Sequence, residues 1–455
     1  KNLKSITDCL SKSPALPEKQ LFFISEIAQR YRASLGALLT TNLFPANKKS
    51  YAIFSRLKFT SIDSPETNSE TSSLPTYYCY SSRTERSALL FKHSTERSTG
   101  QHLVIVPTID DAIALHTEYS NHKIPTVLCT SETATPQLRT LWFSIRSNTP
   151  CIVIGTRRAL FLPWTSLTSV LIDSEGDRNF EQFDTAPRTN VRELALLLAH
   201  CHRASALVSG HTPSLIGYEI LRSSNQQPLT LQSTTALIHV DISKERQIGL
   251  SGLISLPLEE HIRSISGHIF LYLNQRGHAQ CVMCKDCRHT YRCPTCATAL
   301  TFHASHQRLV CHICGHEQRL GACPSCRGLT VQRYGYGTGA LEETVKKYFP
   351  DRTCIRIDSD QNTSRLSWDR DTIFVGTDMA WRFIPWETIS LMAYIDAASN
   401  RYVPEWNSSE QSWYRIRDSL FRLSPNTPVI FQAAGDFEHG VIPKLHNPEA
   451  WYEGE

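Results

Sequence analysis

The residues whose types and spacing could do chemistry are, first of all, cysteines. The chain of 455 residues holds 15 cysteines, and nine of them fall between Cys281 and Cys326. Each Cys-x2-Cys pair can turn two thiolates toward one point, and a tetrahedral Zn²⁺ takes four such ligands. Four consecutive pairs are present: Cys284/Cys287, Cys293/Cys296, Cys311/Cys314 and Cys323/Cys326. The spacing therefore predicts two closed structural zinc sites of four thiolates each.

Other uses of clustered cysteines fit this pattern less well. A secreted disulfide framework would spread its cysteines through a small domain. A redox site would need one pair rather than four, and an iron–sulfur centre is disfavoured because the pairs are spaced as in zinc ribbons. We therefore expect a metal-binding protein of the reducing cytoplasm. The start at Lys1 rather than Met leaves open whether the N-terminus is complete.

Composition excludes some classes of protein and leaves others open. The formal net charge of +4 is too small to indicate a nucleic-acid partner by itself. No apolar run approaches the roughly 18 residues that a membrane-spanning helix needs, so we expect no membrane partner. The 41% hydrophobic and 20% charged content is that of a globular protein with buried cores.

Hydrophobic patterning outside the cysteines indicates an α/β protein. Residues 1–60 contain one helical stretch, Leu21 to Leu43, and residues 61–75 are predicted to be a polar linker. From 76 to 250, short apolar runs suited to buried parallel strands alternate with helical segments, which predicts a doubly wound lobe. These runs are Leu103–Val106, Thr126–Cys129, Cys151–Ile154, Val170–Ile172 and Ala206–Ser209.

A second α/β lobe is predicted over residues 251–280 and 331–455. The cysteine-rich insertion, residues 281–330, interrupts it. Its predicted strands are His268–Leu273, Cys354–Ile357, Thr372–Val375 and Ser390–Ile395, with a helix at Gly339–Phe349. The expected architecture is thus two α/β lobes with a zinc-binding insertion in the second.

Several short sequence motifs are as distinctive as the cysteine spacing. They include Leu273-Asn274-Gln275-Arg276-Gly277, Gly335-Tyr336-Gly337-Thr338-Gly339, Arg356-Ile357-Asp358-Ser359-Asp360, Gly155-Thr156-Arg157-Arg158-Ala159, Thr212-Pro213-Ser214 and Gly376-Thr377-Asp378-Met379. Together with the eight cysteines, these motifs make residues 76–435, approximately, resemble the primosomal protein N-prime (PriA) family. That family consists of superfamily 2 DNA helicases that restart stalled bacterial replication forks. The resemblance implies two RecA-like lobes of the P-loop NTPase type with a double zinc ribbon.

The same resemblance assigns ligands and contacts to particular residues. It implies one Zn²⁺ on the outer pairs and one on the inner pairs; the outer set is Cys284, Cys287, Cys323 and Cys326, and the inner set is Cys293, Cys296, Cys311 and Cys314. It implies a DNA contact at Thr156, Arg157 and Arg158, with Arg276 as a further candidate. Base stacking by Trp381, Trp386 and Trp406 is a weaker expectation, because tryptophans more often lie in a core.

The motor motifs of the family are altered in this chain. ATP hydrolysis needs a glycine-rich loop around the phosphates, a lysine on them and a hydroxyl on Mg²⁺. At that place stands Tyr80-Ser81-Ser82-Arg83-Thr84-Glu85-Arg86-Ser87, in which Arg86 and Ser87 take the lysine and hydroxyl places without any glycine. The family's Asp-Glu-Glu-His appears as Asp173-Ser174-Glu175-Gly176. Ser174 cannot serve as a general base, Asp173 could still hold Mg²⁺, and Glu175 is a possible substitute base.

These observations lead to one hypothesis and two alternatives. We expect a pared-down relative with a helical N-terminal remnant, acting as a zinc-containing DNA-binding protein of replication restart that has lost ATPase and helicase activity. It would bind branched or single-stranded DNA and contact primosome or single-strand-binding proteins in the bacterial cytoplasm, at the nucleoid. The first alternative is an active ATP-dependent 3′→5′ helicase with a divergent nucleotide site using ATP and Mg²⁺. The second is a zinc-ribbon scaffold without a DNA function.

Overall fold

Two compact units make up the chain, Lys1–Leu229 and Thr230–Glu455. The computed structural model describes residues 16–42, 74–95, 100–182, 187–224, 236–242, 252–273, 281–287, 289, 291–295, 300–303, 308–311, 314–334, 337–358, 371–397, 408–433 and 442–454. Most of the predicted linker at 61–75 lies outside these ranges, as do Cys296, Arg276 and Trp406. No helix in the described ranges is long and apolar enough to cross a lipid bilayer.

The first unit begins with two helices where the sequence predicted one. Helix α1 spans Glu18–Arg30 and helix α2 spans Leu35–Asn42. Between them Arg32 adopts a left-handed conformation with φ of 48°. The Ala33 amide then bonds to the Ala28 carbonyl at 2.9 Å, the six-to-one bond of a Schellman ending. The single predicted helix from Leu21 to Leu43 was therefore wrong, because this turn ends α1.

A six-stranded sheet forms the centre of the first unit. Its spatial order is β1-β6-β5-β2-β4-β3, and every neighbouring pair is parallel. The strands are β1 (Thr76–Cys79), β2 (Gln101–Ile105), β3 (Val127–Cys129), β4 (Cys151–Gly155), β5 (Leu167–Asp173) and β6 (Ser205–Gly210). All five residues of β2 are buried, as expected for a central strand of a parallel sheet.

Helices connect these strands, as the alternating pattern predicted. They are α3 (Arg83–Thr95), α4 (Ile109–Asn121), α5 (Thr135–Arg146), α6 (Val191–His202) and α7 (Leu215–Ser223). Short 3₁₀ helices follow β4 at Arg157–Phe161 and β5 at Arg178–Phe180. The carboxyl ends of β1, β4 and β5 lie at one edge of the parallel sheet, where such folds place ligands.

The second unit has its own six-stranded parallel sheet. The spatial order is β14-β15-β8-β16-β17-β7. The strands are β7 (Leu237–Asp241), β8 (His268–Tyr272), β14 (Cys354–Ile357), β15 (Ile373–Gly376), β16 (Ile389–Tyr394) and β17 (Val429–Ala433). The helices are α8 (Leu256–Ser264), α9 (Thr338–Tyr348), α10 (Ser408–Arg422), α11 (Ile442–His446) and α12 (Glu449–Tyr452), with 3₁₀ helices at Asp378–Arg382 and Trp386–Thr388.

The cysteine-rich insertion forms a separate antiparallel sheet between β8 and α9. Its order is β12-β11-β10-β9-β13, from strands β9 (Cys281–Cys284), β10 (Thr301–His303), β11 (Arg308–Val310), β12 (Glu317–Arg319) and β13 (Val331–Tyr334). It has its own small apolar cluster, which includes Val282, Tyr291, Leu300 and Leu309.

The predicted fold class, two RecA-like α/β lobes with a cysteine-rich ribbon, is confirmed. One boundary differs from the prediction. Residues up to 250 were assigned to the first lobe, yet β7 pairs in register with β17 and so completes the second sheet. The reason is that an apolar run shows that a strand is buried but does not show which sheet it joins.

Candidate functional site

The loop between β1 and α3 stands where the sequence predicted a degenerate phosphate loop. Ser82 directly precedes helix α3, and its hydroxyl accepts a hydrogen bond from the Glu85 amide at 3.2 Å. The Glu85 carboxylate in turn accepts from the Ser81 amide and the Ser81 hydroxyl, both at 2.7 Å. This resembles a capping box, except that Glu85 accepts from the Ser81 amide, one residue before Ser82.

Glu85 therefore places a negative charge where a phosphate would be bound. Its second carboxylate oxygen accepts from the Tyr78 hydroxyl at 2.9 Å. The hydrogen bonds from Ser81 lower the pKa of the Glu85 carboxyl, so it is ionised at neutral pH. The helix N-terminus, which otherwise favours external anions, already faces an internal one.

Arg86 stands where the family loop has its lysine, and Asp173 stands where the family has the aspartate that holds Mg²⁺. These two side chains form an ion pair. Arg86 donates to Oδ2 of Asp173 from Nε at 2.8 Å and from Nη2 at 2.6 Å. Asp173 ends β5 and is fully buried. Its Oδ1 accepts from the Ser209 hydroxyl at 3.1 Å. Both oxygens of Asp173 are thus used by the protein itself.

The next two residues of this motif are held in different ways. Ser174 has a left-handed backbone with φ of 56°, and its hydroxyl lies 3.1 Å from the Tyr80 hydroxyl. Tyr80 is fully buried. Ser87, at the hydroxyl place, donates to the Arg83 carbonyl one turn earlier at 3.0 Å.

Glu175 is fully buried and bonded through both carboxylate oxygens. Arg192 of α6 donates to Oε2 at 2.8 Å, and Ser214 donates to the carboxylate from its amide at 2.6 Å and its hydroxyl at 2.8 Å. Three donors occupy most of the acceptor sites of a carboxylate. Glu175 therefore links β5 to α6 and to the start of α7, a role that sequence reasoning missed because its partners lie 17 and 39 positions away.

A tight turn carries the predicted DNA contacts at the end of β4. A Cβ on Gly155 would lie 2.3 Å from the Cys129 carbonyl oxygen, so only glycine fits there. Thr156 follows with extended backbone angles and leads into the 3₁₀ helix. The corresponding turn after β15, at Gly376 and Thr377, has nearly the same backbone: φ and ψ are −105° and −164° at Thr156 and −105° and −165° at Thr377.

The two arginines of this turn differ in their surroundings. The Arg157 guanidinium lies 5.7 Å from the centroid of the Phe161 ring. Within the described ranges its Nε is buried without a hydrogen-bond partner, and this burial lowers the pKa of Arg157. Arg158 is exposed, and its Nη1 donates to the carbonyls of Thr130 and Ser131 at 3.4 and 3.3 Å. Arg157 therefore carries a charge that is only partly solvated, a favourable condition for binding an anion.

The turn after β15 is closed by an ion pair instead. Asp378 accepts from the Tyr272 hydroxyl at 2.6 Å and from Arg415 of α10 at 3.0 Å. The Arg415 guanidinium lies 4.9 Å from the Trp381 ring centroid. Trp381 and Trp386 are 6% and 5% exposed and pack against Phe270. These two tryptophans therefore lie in the core, the alternative that the sequence analysis favoured over base stacking.

The outer cysteine pairs meet at one point in the second unit. The Sγ atoms of Cys284, Cys287, Cys323 and Cys326 all lie within 4.8 Å of one another. Cys284 and Cys326 are 3.5 Å apart, and Cys287 and Cys323 are 3.6 Å apart. Tetrahedral ligands about 2.3 Å from Zn²⁺ would be about 3.8 Å apart, whereas a disulfide needs about 2.05 Å. The four sulfurs fit a zinc ion.

Three of the inner cysteines form a second group. The Sγ atoms of Cys293, Cys311 and Cys314 also lie within 4.8 Å of one another, with 3.5 Å between Cys293 and Cys314. Cys296, the fourth predicted ligand, lies outside the described residues. The structure thus groups the described cysteines as the resemblance implied, outer with outer and inner with inner.

Comparison with known proteins agrees with this geometry. The family model described as the PriA DNA helicase Cys-rich region (CRR) domain matches residues 293–319. The Replication restart protein PriA of Bacillus subtilis is 26% identical over 337 residues, 69% of this chain and 42% of that protein. The protein of the same name from Haemophilus influenzae is 30% identical over 312 residues, 64% of this chain and 42% of that protein. The chain spans about two fifths of the length of these relatives.

Solved structures resemble the chain only distantly. The structure of S. cerevisiae Dbp5 bound to RNA and ADP BeF3 is 10% identical and covers 95% of this chain and 91% of that one, with a TM-score of 0.44. The structure of RecG bound to a three-way DNA junction is 12% identical and covers 95% and 49%, with a TM-score of 0.39. The sequence relatives and the matched cysteine-rich domain support a likeness to the PriA family, and the distant structural neighbours carry no argument about function.

Proposed function

Because the chain resembles the PriA family, we propose that it is a zinc-containing DNA-binding protein of replication restart that does not hydrolyse ATP. The sequence relatives carry the name of replication restart proteins. Since this chain matches only part of their length, its own activity has to be argued from its residues.

The observation that carries the loss of ATPase activity is the internal pairing of the motor residues. Arg86 neutralises Asp173, so neither is available to a β-phosphate or to Mg²⁺. Glu85 occupies the helix N-terminus with its own carboxylate. An incoming nucleotide would have to break these contacts and bring its own negative charge beside Glu85, a repulsion that is strong in a partly buried site.

The substitute general base that the sequence offered is also occupied. Glu175 is held inside the fold by hydrogen bonds from Arg192 and Ser214. A base must reach the proton it removes within hydrogen-bond distance. We therefore expect that a glycine–lysine loop installed at residues 80–87 would not by itself restore hydrolysis.

Two Zn²⁺ ions, one on each cysteine set, are the proposed cofactors. Four thiolates around each ion leave no position for water, so the metal would hold the insertion together rather than act on a substrate. ATP and Mg²⁺ are not proposed as cofactors.

DNA is the proposed ligand of the turn at the end of β4. Arg157 and Arg158 would contact phosphate oxygens, with the Thr156 hydroxyl beside them and Arg276 as a further contact. Partner proteins of the primosome or single-strand-binding class, and a place in the bacterial cytoplasm, remain part of the proposal on the ground of likeness to the PriA family alone.

The decisive experiment measures ATP turnover and nucleotide binding side by side with DNA binding. We expect no ATP hydrolysis above background, with or without single-stranded DNA, and no Mg²⁺–ATP binding by calorimetry. We expect forked and single-stranded DNA to bind with an affinity that falls steeply as salt rises. DNA-stimulated hydrolysis would instead support the active helicase, and the absence of any DNA binding would support the zinc-ribbon scaffold.

A further inference from the structure

A buried glutamine of α1 contacts the 3₁₀ helix Arg157–Phe161, which carries the two arginines of the proposed DNA site. Gln20 is fully buried, and its Nε2 donates to the Leu160 carbonyl of the 3₁₀ helix at 2.9 Å. Its Oε1 lies 3.0 Å from Nε2 of His202 in α6. Burial, aided by the charge of Lys19, lowers the pKa of His202 to about 3, so the imidazole is neutral and can donate that hydrogen. Gln20 thus joins the 3₁₀ helix to α6.

A second contact from α1 lies beside the first. Phe23 is fully buried, and its ring centroid lies 5.9 Å from that of Phe161, the last residue of the 3₁₀ helix. The Arg157 guanidinium lies over the same Phe161 ring. A cation over an aromatic face within about 6 Å is held by the ring quadrupole. The chain of contacts therefore runs from α1 through Phe161 to Arg157.

The two arginines of the turn depend on α1 to different degrees. Arg158 is held by the carbonyls of Thr130 and Ser131, which lie after β3. Arg157 lies over the Phe161 ring, and within the described part of the chain its buried Nε has no hydrogen-bond partner. Displacing the carbonyl of Leu160 or the ring of Phe161 would thus move Arg157 and leave Arg158 in place.

We propose that α1 positions Arg157 for phosphate binding, with Gln20 as the positioning residue and Phe23 as its apolar partner. In this proposal α1 acts on the DNA site through Arg157. This inference rests on the proposed DNA-binding function, since it says which residue outside the turn sets that function.

The test compares the removal of hydrogen bonds made by a residue of α1 with the removal of one made by the residue that follows the helix. Gln20→Met keeps the size of the side chain and removes both of its hydrogen bonds. Tyr31→Phe is the matched control, because it removes the bond from the Tyr31 hydroxyl to Glu193 at 3.2 Å near the other end of α1. Affinity is measured on the full chain, at a temperature where each variant is folded, with a labelled oligothymidine of about 20 nucleotides.

Gln20→Met should weaken binding roughly three- to tenfold and reduce the slope of log K against log salt by about 0.7, as one lost phosphate contact requires. Tyr31→Phe should bind like the wild type. Added to Arg157→Ala, Gln20→Met should cause no further loss, because both changes remove the same contact. If Gln20→Met does not fold, Phe23→Leu takes its place in the same cycle.

Two results would overturn the inference while leaving the proposed function intact. One is wild-type affinity in folded Gln20→Met when Arg157→Ala weakens binding. The other is an equal loss in the wild-type and Arg157→Ala backgrounds, which would show that α1 merely supports the fold. If the wild type shows no salt-dependent binding at all, both proposals fail together.

Discussion

Glu85 and Arg86 are adjacent residues of α3 that carry opposite charges and bind different parts of the fold. Glu85 turns back to the loop that precedes its own helix, and Arg86 turns inward to Asp173 at the end of β5. Part of this was readable from the sequence, since Ser82-x-x-Glu85 is the pattern of a capping box. The pairing of Arg86 with Asp173 was not, because the two residues lie 87 positions apart.

Arg86→Ala should destabilise the protein, because Arg86 pairs with a buried carboxylate. It would leave the fully buried Asp173 without its countercharge, and breaking a buried pair from one side costs about 3 kcal/mol or more of the free energy of unfolding. Chemical denaturation monitored by circular dichroism would measure this loss. Thr84→Ala, at an exposed position of the same helix, is the control and should change little. Equal stability of the two variants would show that Arg86 does not stabilise the fold.

The turns that follow two of the Cys-x2-Cys pairs show how backbone geometry and residue type combine at the scale of one element. After Cys314, Gly315 has a φ of 74°, and after Cys326, Arg327 has a φ of 65°. The amides of both residues bond back to the first cysteine of their pair, Gly315 to Cys311 at 2.9 Å and Arg327 to Cys323 at 2.9 Å. The same turn is thus built once with a glycine and once with a residue that is strained there.

Arg327→Gly should raise the stability of the insertion. A left-handed backbone costs a residue with a Cβ about 1 kcal/mol, and glycine avoids this cost. We expect a higher melting temperature for zinc release with an unchanged zinc content, measured by a chromogenic chelator during heating. Ser325→Gly is the matched control: Ser325 has no positive φ, so added chain entropy should lower stability. A lower melting temperature for Arg327→Gly would contradict the assignment of strain to this turn.

At the scale of the whole molecule, the insertion and the second sheet have separate cores. The insertion's cluster includes Cys293 and Cys311 together with Tyr291 and Leu309. The sheet's cluster is built from residues of β8, β15 and β16 with α8 and α9. The metal-dependent and metal-independent parts of the chain are therefore expected to unfold separately.

Cys293→Ser should release the inner zinc and unfold the part of the insertion around it, while leaving the outer zinc site and the parallel sheets folded. Zinc binding in such modules contributes roughly 10–16 kcal/mol of apparent free energy that is coupled to folding. Metal analysis should fall from two zinc ions to one, and an early melting transition should disappear. Cys354→Ser, at a half-buried cysteine outside both groups, is the control and should keep both ions. Unchanged zinc content and melting in Cys293→Ser would refute the inner site.

The sequence by itself determined the features that are local in the chain. Cysteine pairs two residues apart indicate metal ligands because a tight turn brings their sulfurs together, and apolar runs indicate buried strands because both faces of a parallel sheet are covered. Only the tertiary structure decided which charged side chains pair with one another and which carbonyl accepts the hydrogen bond from Gln20. Parallel strands are joined by crossovers, so their ends meet across long stretches of chain, and periodicity shows which residues are buried but not their partners.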